Sequence, residues 1–141
     1  MALAAAQVVD ALAARMTGLP LTGSRVYTSR LWPVSEAEMP AWRLTAEDES
    51  IEASMADGTN QHLLVVQCEG LVRATADIDD SMHTLAAQGL TALCAVPALH
   101  GTQLTSVERV LTSEGEASVG AVRIRVVTRF FVHPAAPETI V

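Results

Sequence analysis

The spacing of hydrophobic positions along this chain changes period several times, and each change marks an element. Near the N-terminus Ala5, Val9, Leu12 and Met16 recur at helical spacing, with Val8 beside them. That pattern predicts a helix over residues 3–17 with one apolar stripe. Gly18 is placed to end it, and Pro20 follows. "SRVYTSRL" reads as a short strand. "AWRLTAEDESIEA" then alternates, with Trp42, Leu44 and Ala46 on one face and Arg43, Thr45 and Glu47 on the other. Asp57-Gly58 signals a turn between two strands. "QHLLVVQCEGLVRA" is the clearest strand. Leu64, Val66, Cys68, Val72 and Ala74 share one face, and Leu63, Val65, Gln67, Glu69 and Arg73 the other. Gly70 within it marks a bulge or a tight crossing.

The period then returns to that of a helix. In "DIDDSMHTLAAQGLTALCAV" the stripe is Ile78, Met82, Leu85, Ala86, Leu90 and Leu93. Asp77 is placed as an N-cap, and Asp79 and Asp80 sit in the first turn, where the helix dipole favours anions. Gly89 is costly inside a helix unless something packs closely there, so it predicts close packing onto a sheet. "TQLTSVERVLT" and "SVGAVRIRVVTRFFV" are two further strands joined by the loop "SEGEA". "HPAAPETIV" has no packing pattern. The element order α-β-β-β-α-β-β predicts an α+β two-layer sandwich, a mostly antiparallel sheet with two helices on one face. Residues 1–132 form a single domain and 133–141 an extended C-terminal tail, in keeping with a chain of 141 residues.

Composition narrows the functional classes. Half the residues are apolar and 18% are charged, which is a globular balance. The net charge is −7, and the nine cations are all arginine. That balance argues against a nucleic-acid surface spread over the whole molecule. No run reaches the roughly 18 apolar residues of a membrane span, and no charged segment precedes the N-terminal apolar stretch as in a signal peptide. A soluble protein made in a cytoplasm is expected. Cys68 and Cys94 lie in apolar contexts and are expected to be buried, reduced thiols. The four histidines, His62, His83, His100 and His133, are scattered without metal-ligand spacing. Neither a metal nor a cofactor is expected, and no catalytic residue is assigned.

Two charge patterns and one apolar pattern point to a surface. In the last long strand Arg123, Arg125 and Arg129 alternate with Val122, Ile124, Val126 and Phe130, so all three guanidiniums share one sheet face. They line a solvated face, with Glu69 as a cross-strand partner, or they form an interface or channel-facing strip. Glu47, Asp48, Glu49 and Glu52 crowd "EDESIE", which is either a solvated hairpin or an acidic partner for those arginines on a neighbouring subunit. Leu63, Val65, Val127 and Phe131 fall opposite the core-facing residues. With helices on one face only, they leave an apolar patch that association would cover; burial of both faces by the two helices is the competing explanation.

The stretch "SRLWPVSEAEMPAWRL" holds both tryptophans, Trp32 and Trp42, on either side of two prolines, Pro33 and Pro40, that exclude a continuous helix. It reads as a bent lead-in to a strand. Glu38-Met39-Pro40-Ala41 running into "WRL", after an N-terminal helix and before a long strand, a helix and a closing hairpin, resembles the tail terminator proteins of long-tailed bacteriophages. Related minor tail or neck proteins of phages and gene-transfer particles share this order. The resemblance spans nearly the whole chain and is one of architecture. It implies a virion structural protein without enzyme activity, a homohexameric ring that caps the tail tube, stops its polymerisation and offers a surface to the neck. The implied partners are the tail tube protein, a neck or connector protein, and DNA passing transiently through the lumen, with no membrane. The implied location is the tail end or neck of a virion assembled in the bacterial host cytoplasm. Trp32 and Trp42 are then candidate interface anchors; a tryptophan in such a proline-fixed stretch equally suits the lid of a small core. A head–tail connector is the alternative within this class. A small ligand-binding or enzymatic α+β domain, which requires a pocket of convergent polar groups, is the alternative outside it.

Overall fold

The alternating segments pair into one six-stranded sheet, and the two helical segments pack on one face of it. The computed structural model describes residues 3–28, 34, 36–74, 77–94, 102–114 and 117–141. Helix α1 spans Ala4–Met16 and helix α2 Ile78–Cys94. The strands are β1 (Val26–Thr28), β2 (Ala41–Ser54), β3 (Asn60–Ala74), β4 (Gln103–Glu114), β5 (Ala117–His133) and β6 (Ala136–Ile140). Their order is β1-β2-β3-β5-β4, with β6 also on β5. All neighbours are antiparallel except β1 and β2. The α+β class and mostly antiparallel sheet read from the sequence are therefore observed.

The helices end where their sequences break the pattern. Gly18 follows α1 with φ of +89°, a conformation that side chains with a Cβ disfavour. Asp77 immediately precedes α2, and Asp79 and Asp80 lie in its first turn. Gly58, also at positive φ, turns β2 into β3, and Asp57 Oδ1 accepts a hydrogen bond from Thr59 N at 2.9 Å. The C-terminal segment, for which the sequence showed no packing pattern, does not stay unpaired. It turns back as β6 and places Ile140 opposite Val132.

One core joins the two layers. Val8, Leu12 and Met16 of α1 and Met82, Leu85 and Leu93 of α2 meet Leu44, Leu64, Val66, Cys68, Val122, Ile124 and Val126 of the sheet. Trp42 lies at its centre with no exposed surface. It sits opposite Gly70 in the β2–β3 register. A Cβ on Gly70 would fall 2.9 Å from the Trp42 ring and 2.7 Å from Leu85, and one on Gly89 would fall 2.6 Å from that ring. Both glycines thus exist to admit the indole, one from the strand side and one from the helix side. The tight crossing read at Gly70 and the close packing read at Gly89 are the same contact.

Trp42 is accordingly a core residue and not an interface anchor; Trp32 lies outside the described residues. The lead-in holds the indole in place through its backbone. Met39–Pro40 is a cis peptide, Pro40 O accepts a hydrogen bond from Arg25 Nε at 2.8 Å, and Trp42 N donates to Arg25 O at 2.9 Å.

Candidate assembly face

The face of the sheet turned away from the helices carries most of the charged residues singled out in the sequence. The ladder register sets four strands in line, so that Arg43, Glu69, Arg123 and Glu108 form one row of alternating charge across β2, β3, β5 and β4. Glu69 is the anchor of that row. Its side chain is 6% exposed, and it accepts hydrogen bonds from Arg43 Nη2 and, at 2.9 Å, from Arg123 Nε. The hydrogen bond to Glu69 holds the Arg123 guanidinium above its ordinary pKa, with the field of Glu69, Glu108 and Glu47 adding to it. A carboxylate this buried requires such partners, because its desolvation is otherwise uncompensated. The cross-strand pairing of Arg123 with Glu69 is thus observed; Arg43 and Glu108 were missed, although their alternate placement on β2 and β4 was legible.

The other two arginines find acids within the same chain. Arg125 Nε lies 3.1 Å from Glu47 Oε2, and Arg129 Nε lies 3.2 Å from Glu52 Oε2. The alternative of an acidic neighbour on another subunit is therefore not needed for these pairs. The reason is geometric. β2 and β5 flank β3, so their side chains must bridge two strand spacings, about 10 Å, which an arginine and a glutamate together reach. Register shifts in β2 between Ala46 and Asp48 and between Ile51 and Ala53 leave Glu47 and Glu52 unpaired in the β3 ladder. Such bulges re-aim side chains, and they keep both acids on this face. The two ion pairs lie across β3 and shield Val65 and Leu63, which with Val127 and Phe131 are half-buried. The expected apolar patch is thus partly roofed by charged side chains with aliphatic stems.

The remaining acids divide between the faces. Asp48 is exposed with no partner among the described residues. Glu49 turns to the helix side, where Glu49 Oε2 is 2.9 Å from Nδ1 of His62, whose ring stacks on Phe130 with centroids 5.4 Å apart. Beside this pair, two clefts run along β2 under the first turns of α1. One, about 440 Å³, is lined by Leu3, Ala5, Ala6, Val9, Leu44 and Ala46, with Asp10 and Thr45 as its polar members. The other, about 290 Å³, is lined by Ile51, Phe130, Val132 and Pro137 together with Glu49 and His62 themselves. Among the described residues no three His, Cys, Asp or Glu side chains group as metal ligands. No helix among them is long and apolar enough to cross a membrane.

The two cysteines differ more than their sequence contexts implied. Both are free, but Cys94 at the end of α2 is exposed, whereas Cys68 is buried in the core. The expectation of two buried thiols fails for Cys94, because it falls on the solvent side of α2 with Ala87 and Thr91, while Ala92 and Leu93 beside it are buried. Burial pushes the Cys68 thiol up to about 12, so it stays protonated, and unreactive, through neutral and mildly alkaline pH. At pH 8 a thiol reagent is expected to modify one cysteine per native chain rapidly and the second only after unfolding. Mass spectrometry of the labelled, digested protein checks which is which.

Comparison with protein-family models and with curated proteins finds no match for this chain.

Proposed function

We propose that this protein is a virion structural subunit, a tail terminator that assembles as a ring on the end of a phage-type tail tube, halts its growth and joins it to the neck. The observation that carries this reading is the one-sided architecture. Both helices cover the same face of the sheet, and the opposite face is left to ion pairs and half-buried aliphatic side chains. The order of elements, from the N-terminal helix through the Pro40–Trp42 lead-in to the closing β4–β5 hairpin, is the order on which the resemblance rests. In a ring, a charged face of alternating sign suits a wall past which DNA slides without being held. The guanidiniums of Arg43, Arg123, Arg125 and Arg129 are all held by Glu69, Glu47 and Glu52, and Glu108 opposite Arg123 adds a further acid to the face, which leaves few free cations for phosphate binding. The clefts beside α1 are dominated by apolar side chains, which favours packing against protein over turning over a substrate. A neck connector would use the same surfaces with a different partner.

The test is the mass and shape of the purified full-length protein. Sedimentation velocity is expected to give a species several times the 14.9 kDa chain, six-fold for a hexamer, and negative-stain images are expected to show rings. Mixing with tail tube protein is expected to yield tubes of arrested length with a cap at one end. A monomer at every concentration overturns the reading.

A further inference from the structure

Among the described residues the sheet is unfinished at both ends, and the two open edges complement each other. At one end β4 runs for 12 residues as an edge strand. Edge strands are commonly blunted by proline, lysine, brevity or a bulge; β4 has a bulge between Leu104 and Ser106, but none of these devices from Val107 to Glu114. It instead exposes Val107 at 37% and Leu111 at 56%. At the other end β1 covers only Trp42–Leu44 of β2. From Thr45 to Ser54 that edge of β2 has no partner strand among the described residues, and Ile51 on it is 58% exposed.

We propose that β4 of one copy adds antiparallel to the free edge of β2, residues 45–54, of a second copy, so that one continuous sheet runs from protomer to protomer. This deepens the ring reading and rests on it. Strand direction comes first. β2, β3, β5 and β4 alternate in direction, so copies set side by side in the same orientation bring β4 against β2 antiparallel, with all helices on one side. A head-to-tail contact of this kind closes into a ring when its rotation allows. Register follows from which residues share a face. The ladder puts Val107 and Arg109 on the helix side, opposite Ile124 and Val122. Glu49 and Ile51 are on that same side, opposite Leu64 and His62. One register sets Arg109 against Glu49 and Val107 against Ile51 at once. Past the bulge at Glu47, Leu111 then comes opposite Ala46, at the mouth of the larger apolar cleft. Arg109 is exposed and has no ion-pair partner among the described residues, so the neighbour's acid completes it. The register unites an opposite-charge pair and an apolar pair, the two cross-strand combinations that stabilise sheets.

Reversing one charge tests this directly. In sedimentation velocity on the full chain, Arg109→Glu alone and Glu49→Arg alone are each expected to raise the concentration needed for assembly by about tenfold or more, and the double variant to restore it. Far-ultraviolet circular dichroism and thermal unfolding verify that each variant is folded. Should Glu49→Arg fail to fold, Ile51→Cys with Val107→Cys in a Cys94→Ser background replaces it. Mild oxidation is expected to give a ladder of covalent oligomers, which neither single cysteine gives. An oligomer indifferent to the charge reversals, or no ladder, overturns the edge pairing and leaves the ring standing. A wild-type chain that is monomeric throughout overturns both.

Discussion

Replacing Trp42 by alanine is expected to lower stability by about 3–5 kcal/mol, the range for large aromatic truncations in cores. The top of that range is expected here. The indole has no exposed surface, and two glycines have given up their side chains to admit it. Removing it leaves a void with Gly70 on the strand, Gly89 on the helix and Ile124 at the rim. Neither glycine has a side chain that can relax into the space, and both belong to regular elements held by backbone ladders. The cavity therefore persists, and cavity volume adds to the lost transfer free energy. Urea unfolding followed by circular dichroism checks this through a lowered midpoint at unchanged slope. A loss below about 1 kcal/mol would show that the indole does not fill the position described. Because the tryptophan joins β2, β3 and α2, the loss is expected in the global transition and not as local fraying.

Removing both arginines that clamp Glu69 is expected to be nearly as damaging. Arg43→Ala or Arg123→Ala alone leaves the carboxylate one guanidinium, and each arginine is about one-third exposed, so each single loss is modest. The double variant leaves a carboxylate with a 6% exposed side chain and neither partner. Stripping a buried charge of its partners costs about 3–5 kcal/mol. The double loss is therefore expected to exceed the sum of the singles by at least about 1 kcal/mol, as couplings within one network do. A double-mutant cycle in urea measures it. Additive effects would mean that water replaces the guanidiniums, and that Glu69 is not the keystone of the row.

These two sites differ in how far they could be read beforehand. Gly70 and Gly89 signalled a close approach within their own segments, and the alternation around Trp42 put it on the same face as Leu44. What lay beyond reach was the object that both glycines admit, since positions 42, 70 and 89 come together only when β2, β3 and α2 are assembled. Likewise, the alternation of Arg123, Arg125 and Arg129 named a face but not their partners. Glu47 and Arg125 are 78 residues apart in the chain. Their meeting depends on β3 lying between β2 and β5, and on bulges whose positions no local pattern marks.

The sequence by itself determined the type of the two helices and of the first five strands, the side that each presents to the core, and the α+β class. Periodicity is written in residues a few positions apart and needs no knowledge of the rest of the chain. Tertiary structure alone decided that Trp42 is core, that Glu47 and Glu52 of the acidic run pair with Arg125 and Arg129 within one protomer, that the C-terminal segment returns as β6, and that β4 and half of β2 have no further partner strand among the described residues. Strand order and register are set by the free energy of the whole assembled sheet, where one residue's partner depends on the placement of every strand between them.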